Sequence, residues 1–276
     1  MIWQYLLPQH GLSRLVGWLA HCRIFWIKHT FILWFIRRYQ VDMSLAVETN
    51  PSKYPHFNAF FTRALKPDVR PIAVGEHNIV SPADGTISQI GTIEAGRIFQ
   101  AKGFHFNVQE LLGGNKELAA IFQQGSFSTI YLAPKDYHRV HMPLDGRLEK
   151  MAYIPGQLFS VNKPTTEHIP RLFARNERVV VLFKTAVGHM AMVLVGAMIV
   201  ASIETTWAGL VAPAKDSRIA WKEYPNNLIS LRKGDEMGRF QLGSTVILLF
   251  STPVQWRDAI QSNSALRMGQ SLGMSK

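Results

Sequence analysis

The sequence predicts an α+β fold in which helices come first and a β-rich domain follows. Two patterns in the 276-residue chain carry this expectation. Aromatic, aliphatic and basic residues crowd the first 36 positions. From about residue 72, short runs rich in Val, Ile, Leu and Phe recur, each bounded by Gly, Pro or Asn. Helical signals thus precede strand signals, the order of an α+β domain.

Residues 1–71 form the expected helical region. Leu12, Leu15, Val16 and Leu19 recur at helical spacing, with Arg14 off that face. Trp3, Trp18, Trp26 and Trp34 stand among Phe25, Phe31 and Phe35. Arg14, Arg23, Lys28, Arg37 and Arg38 interrupt every window of the roughly 20 apolar residues that a spanning helix needs. The order of a secretory signal, charges then an apolar run then small residues, is absent. Mixed Trp, Phe and basic residues are what a helix lying in a membrane interface uses. A core helix whose arginines reach out to solvent is the plainer alternative. The net charge of +11 and pI near 9.9 also ask for an anionic partner. Nucleic acid is disfavoured, because the basic residues follow hydrophobic helices rather than a groove-reading motif. Asn58 is placed to cap a short helix running to Leu65, and Pro67 and Pro71 close the region.

Residues 72–276 form the expected β-rich domain. Asp84-Gly85 predicts a hairpin corner between His77–Val80 and Thr86–Ile90. Gln109–Leu112 reads as a helical turn. Further strands are predicted over Ser128–Ala133, Val179–Lys184, Met190–Ile203 and Thr245–Ser251. Cys22 is the sole cysteine, which excludes an intrachain disulfide and a zinc-type cysteine pair.

Three places could carry chemistry. Asp84 is either a turn aspartate or a functional carboxylate. His138 and His141 flank Arg139 and Val140. A zinc protease motif would need Glu where Arg139 stands, and strand positions three apart face opposite sides, so no metal is expected here. Two unrelated surface histidines are the plain reading. Gly243-Ser244 precedes the apolar run Val246–Phe250. It is either a glycine bulge entering a strand or a site where the Ser244 hydroxyl attacks the open carbonyl of Gly243. Such an N-to-O acyl shift needs a base and oxyanion donors, and Asp84, His141 and Ser244 are the residue types of that relay.

Separated blocks over nearly the whole chain carry a resemblance. They read FNAFFTRALKPDVRPI at 57–72, SPADGTI at 81–87, YHRVHMPLDG at 137–146, PGQLFSVN at 155–162, ARNERVV at 174–180, IETTWAG at 203–209 and KGDEMGRFQLGST at 233–245. In this order they resemble the phosphatidylserine decarboxylases of the long bacterial type, whose processing motif is Leu-Gly-Ser-Thr. The short archaeal-type relatives lack the long N-terminal segment and use a different processing motif, which favours phosphatidylserine as substrate.

The resemblance implies that Asp84 orients and charges His141, that His141 deprotonates Ser244, and that Ser244 attacks Gly243. It implies a large chain, 1–243, and a small chain, 244–276, in one β-rich catalytic domain. It further implies that Ser244 becomes a covalent pyruvoyl group, the electron sink that no natural side chain offers. The same resemblance has His138 assist decarboxylation or the protonation that follows. The expected partners are an anionic phospholipid membrane, phosphatidylserine within it, and the two chains of one precursor, with the cleaved heterodimer self-associating. The expected location is the cytoplasmic side of the cell membrane, held peripherally by the N-terminal helices. Two other classes stand beside this. A serine hydrolase using Asp84, His141 and Ser244 on an external substrate predicts an intact chain, and Gly-x-Ser-x-Gly is absent around Ser244. A membrane-surface adaptor predicts that Ser244→Ala changes only local packing.

Overall fold

The computed structural model describes residues 9–198, 202–213, 218–224, 228–241 and 244–275, with the side chains of residues 9–10, 12–15 and 244 outside that description. The architecture is α+β with strands dominant.

Two helices, Gln9–Ala20 and Phe25–Tyr39, lead the described chain. The second ends where Gln40 turns into the left-handed region and donates its N–H to the Ile36 carbonyl. Arg37 and Arg38 lie in its last turn, where cations suit the helix dipole. No helix among the described residues is long and apolar enough to cross a membrane. The Phe25–Tyr39 helix buries Ile32 and Phe35. Phe35 meets the rings of Phe57, Phe60 and Phe61 at 5.0, 6.0 and 5.8 Å. Full burial of each such ring contributes about 1.5–3 kcal/mol.

The short helix Phe57–Phe61 corrects one expectation. Its cap is His56, whose Nδ1 accepts the Ala59 N–H at 3.1 Å. Asn58 sits inside the first turn instead, and its Nδ2 donates to Gln241 Oε1 at 3.3 Å. An imidazole nitrogen serves as the cap acceptor, which leaves Asn58 to a long-range contact.

Among the described residues, nine strands form the main sheet. Ala220–Glu223, Gly146–Ile154, Arg178–Thr185, Gly188–Val195, Ser244–Phe250, Ser126–Leu132, Gly85–Thr92 and Ala265–Leu266 run side by side, and Ser230–Leu231 also pairs with Gly146–Ile154. A four-stranded sheet contains Gly209–Ala212, Ser202–Thr205, Glu236–Gln241 and Arg139–His141 in that order. The main sheet is covered on both faces. Ile247 and Leu249 join the cluster that holds Phe35, Phe57 and Phe61, whereas Val246, Leu248 and Phe250 join the one that holds Val140, Met237 and Phe240. Burial of both faces is why residues 246–250 read as an unbroken apolar run rather than an alternating one.

Two strand expectations are also corrected. Asp84-Gly85 does not turn a hairpin. Asn78–Val80 pairs with Ser271–Ser275, while Gly85–Thr92 pairs with Ser126–Leu132 in another sheet. The run expected over Met190–Ile203 divides into Gly188–Val195 in the main sheet and Ser202–Thr205 in the smaller one. Gly146–Ile154 and Glu236–Gln241 were not legible as strands. Each carries a β-bulge, between Leu148 and Lys150 opposite its neighbour and between Glu236 and Gly238 respectively, which breaks the period-two alternation.

Candidate active site

Two chain segments run beside each other out of the large sheet and into the small one. One leads from Ser126–Leu132 to Arg139–His141, and the other from Glu236–Gln241 to Ser244–Phe250. In the large sheet Ser244 stands opposite Leu132 and Thr245 opposite Tyr131. In the small sheet Arg239 stands opposite Arg139, and the Phe240 N–H donates to the His138 carbonyl at 3.0 Å. The loop 133–138 therefore joins the ladder partners of the strands that end at Gln241 and begin at Ser244. Leu242 and Gly243 lie outside the described residues, as does the Ser244 side chain; the Ser244 backbone opens its strand.

His141 is held at both ring nitrogens. Its Nδ1 lies 2.7 Å from the Gly234 carbonyl oxygen. A carbonyl only accepts, so Nδ1 carries the proton and Nε2 keeps the lone pair, which the Tyr137 hydroxyl meets at 2.9 Å. Gly234 has φ +88°, and a Cβ there would lie 3.0 Å from the Ile72 side chain. The carbonyl that sets the His141 tautomer thus depends on a glycine. Burial lowers the proton affinity of His141, and the Gly234 bond opposes that only in part. Burial pushes the Tyr137 hydroxyl up to about 12, so it stays a donor.

Asp84 is not hydrogen-bonded to His141. Its carboxylate takes Arg70 through Nε at 2.8 Å and Nη2 at 2.5 Å, and it accepts the Met268 N–H at 2.8 Å. Of the nearby charges Glu236 most favours protonation of His141, Arg139 opposes it, and Asp84 adds the smallest contribution. The two expected partners share one electrostatic neighbourhood without sharing a hydrogen bond.

His138 faces the other way. It is wholly buried and stacks on Phe61, with centroids 3.9 Å apart and planes at 20°. Among the described residues neither ring nitrogen has a well-formed hydrogen-bond partner, and the Pro134 and Ala133 backbone makes at most weak contact with the ring. Burial first, and the Arg63 charge second, lower its pKa to about 3; the nearby backbone of Pro134 and Ala133 offsets little of this. His138 is therefore a neutral imidazole at physiological pH. Val140 is buried between the two histidines.

Residues around them carry contacts that the sequence did not announce. Arg139 ties the site to the N-terminal region, donating through Nε to the Thr62 carbonyl at 2.9 Å and pairing with Glu236 at 2.9 Å. Arg63 and Arg70 come from the block at 57–72, and Tyr137 and Gly234 from the blocks at 137–146 and 233–245. The signal was their presence inside those blocks; their partners were not visible there. Asp136 also belongs to the loop. It accepts the Ala133 N–H at 2.7 Å, and burial raises its pKa.

A family model described as phosphatidylserine decarboxylase matches residues 57–274, and one described as PSD matches residues 2–40. Among curated relatives, the phosphatidylserine decarboxylase proenzyme of Pseudomonas putida strain F1 is 59% identical over 275 residues, covering 99% of this chain and 96% of the relative. The proenzyme of the same name from Stutzerimonas stutzeri is 58% identical over 276 residues, covering 99% and 93%. That of Azotobacter vinelandii is 56% identical over 276 residues, covering 99% and 96%.

Proposed function

The chain belongs to the phosphatidylserine decarboxylase family, so it decarboxylates phosphatidylserine and is made as a precursor, and we propose that Ser244, served by His141, carries out the processing. What supports this reading is the course of two segments between the sheets, His138 and His141 on one and Ser244 on the other; His138 stands at the Phe240 rung and His141 three residues on, opposite Glu236, so His141 must reach the junction from that side. His141 is a neutral base whose Nδ1 proton is anchored on Gly234, so Nε2 is the atom that takes the serine proton. Tyr137 occupies that lone pair and must yield it for the transfer. Glu236 first, and Asp84 after it, act through their charges to stabilise the imidazolium that forms, while Arg70 fixes the Asp84 carboxylate.

The Ser244 oxygen attacks the Gly243 carbonyl, and the amide becomes an ester. Elimination then releases residues 1–243 as a carboxylate. The dehydroalanine left at 244 tautomerises, takes up water and loses ammonia, which leaves a ketone. That pyruvoyl group supplies the electron sink for the carbanion left when carbon dioxide departs. The residues around the junction fit such a group. Among the described residues, Thr245 Oγ1 and both ring nitrogens of His138 are buried without partners, and a carbonyl with its adjoining amide and the bound head group would engage them. His138 is the group placed to move a proton during decarboxylation. Denaturing mass spectrometry of purified protein is expected to show 1–243 and 244–276, the small chain blocked at its N-terminus and reactive toward hydrazines. A fully active preparation of uncut chain sinks this reading.

We place residues 1–71 at the membrane and residues 72–276 in the catalytic part, on the cytoplasmic side of the cell membrane. What supports this is the outer surface of the helices, where Trp18, Trp26 and Trp34 are 72%, 78% and 51% exposed. Exposed indole rings beside Arg23, Arg37 and Arg38 suit an anionic bilayer interface. Deleting residues 1–36 is a poor test, because Ile32 and Phe35 pack into the core. Trp18→Gln with Trp26→Gln leaves that core in place. The double variant is expected to float with anionic liposomes at least about tenfold less than wild type, since each buried ring contributes on the order of 1.5–3 kcal/mol. Equal flotation of the two proteins counts against the interfacial reading.

A further inference from the structure

Arg63 is a buried cation without an anion. It is 5% exposed. Its Nη2 donates to the Lys135 carbonyl at 3.1 Å, and its guanidinium carbon lies 5.6 Å from the Phe60 ring centroid. Nε and Nη1 are buried and, among the described residues, donate to nothing. The neighbouring carboxylates are committed elsewhere, Asp42 to the N–H and hydroxyl of Ser44. Asp84 is taken by Arg70 and the Met268 N–H, and Asp136 receives the Ala133 N–H while burial favours its neutral form. A guanidinium cannot escape by losing its proton at physiological pH. A buried charge left uncompensated is strongly destabilising, so donors kept free in such a place ask for a ligand.

The position says which ligand. Arg63 hangs on Lys135 of the loop 133–138, whose ends pair with the strands at Ser244 and Gln241. Phe61, two residues earlier, stacks on His138, and the Arg63 charge lies near enough to His138 to disfavour its protonation. We infer that Arg63 binds an oxyanion of the lipid head group, a carboxylate or a phosphodiester, and so holds the substrate against the small-chain N-terminus. This rests on the processing reading above, because that reading puts the reacting carbonyl at residue 244. It explains why a segment of the N-terminal region reaches into the catalytic part: the helix Phe57–Phe61 carries a recognition residue into the junction.

Arg63→Gln and Arg63→Lys are compared with wild type, each first checked by mass spectrometry for cutting and for a hydrazine-reactive small chain. Both are expected to be cut normally. With dispersed short-chain phosphatidylserine, KM should rise roughly ten- to a hundredfold in Arg63→Gln, with kcat changing less and Arg63→Lys intermediate. The second readout is cyanoborohydride-dependent attachment of amines to the small chain, read by mass. Phosphatidylethanolamine keeps the phosphodiester without a carboxylate, and O-octylserine keeps a carboxylate without phosphate. Weaker capture of phosphatidylserine and phosphatidylethanolamine alone identifies the phosphodiester as the anion; weaker capture of phosphatidylserine and O-octylserine alone identifies the carboxylate. Unchanged KM and capture overturn the inference. Equal loss with all three amines also overturns it, since the amine reaction rather than the anion is then affected. Should Arg63→Gln fail to fold, the KM and capture of Arg63→Lys decide. Folded variants that stay uncut assign Arg63 to processing and overturn the inference. Failure of the processing reading shows separately, as a wild-type small chain that does not react with hydrazines.

Discussion

Ser244→Ala is expected to leave the 276-residue chain whole, without a hydrazine-reactive group and with decarboxylation at background. The substitution removes the only atom at that position able to attack the Gly243 carbonyl, and with it the source of the ketone. The backbone pairing of Ser244 with Leu132 makes no demand on the hydroxyl, so the strand Ser244–Phe250 should persist. Thermal unfolding close to that of uncut wild-type chain would show that folding is intact. Ser244→Cys should cut more slowly, through a thiolate. A Ser244→Ala chain that is still cut at 243–244, or that still decarboxylates, removes Ser244 from the mechanism. The hydrolase alternative gives the opposite pattern: a wild-type chain active while uncut.

The second large effect separates the two histidines. His141→Ala should accumulate uncut chain, because the base anchored on Gly234 is gone. His138→Ala should be cut substantially and carry the ketone, yet turn phosphatidylserine over roughly 10²–10⁴-fold more slowly, the usual cost of a lost proton-transfer group. The environments favour this division. His141 is tied into Gly234 and Tyr137, whereas His138 has two unpartnered nitrogens in a buried site. In the free protein His138 is neutral, its pKa lowered to about 3 by burial. An anionic head group bound beside it would raise that pKa, so under the proposed role protonation of His138 would be coupled to substrate binding. A cleavage gel beside a carbon dioxide assay reads both. Uncut His138→Ala with normally cut His141→Ala reverses the roles. Asp84→Asn should slow cutting more mildly, and it should also cost stability, because Arg70 would lose its anion.

The composition of the chain and its local patterns determined a good deal. Helical spacing before residue 40 and apolar runs such as Val179–Lys184 and Thr245–Ser251 placed several elements within a residue or two, while many of the shorter strands and helices gave no such signal. The turn at Gln109–Leu112 appears as the helix Val108–Leu111. Separated blocks in order carried the family and the chemistry. The histidine spacing alone implied that His138 and His141 face apart, and one meets Phe61 while the other meets Gly234 and Tyr137.

Tertiary structure decided the partners. Asp84-Gly85 has the chemistry of a hairpin corner, but the strands on either side of it belong to different sheets, and the carboxylate goes to Arg70. The His141 tautomer comes from a carbonyl 93 residues away, and the cap of the Phe57–Phe61 helix comes from His56 rather than Asn58. Arg63 reads as one basic residue among many until the core closes around it and leaves Nε and Nη1 without partners among the described residues. The physical reason is common to all of these. Spacing along a chain sets which side of an element a residue faces, because helix and strand periods are local. Which donor then meets which acceptor depends on how separate sheets and helices pack, and that is settled only when distant segments bury their apolar faces together.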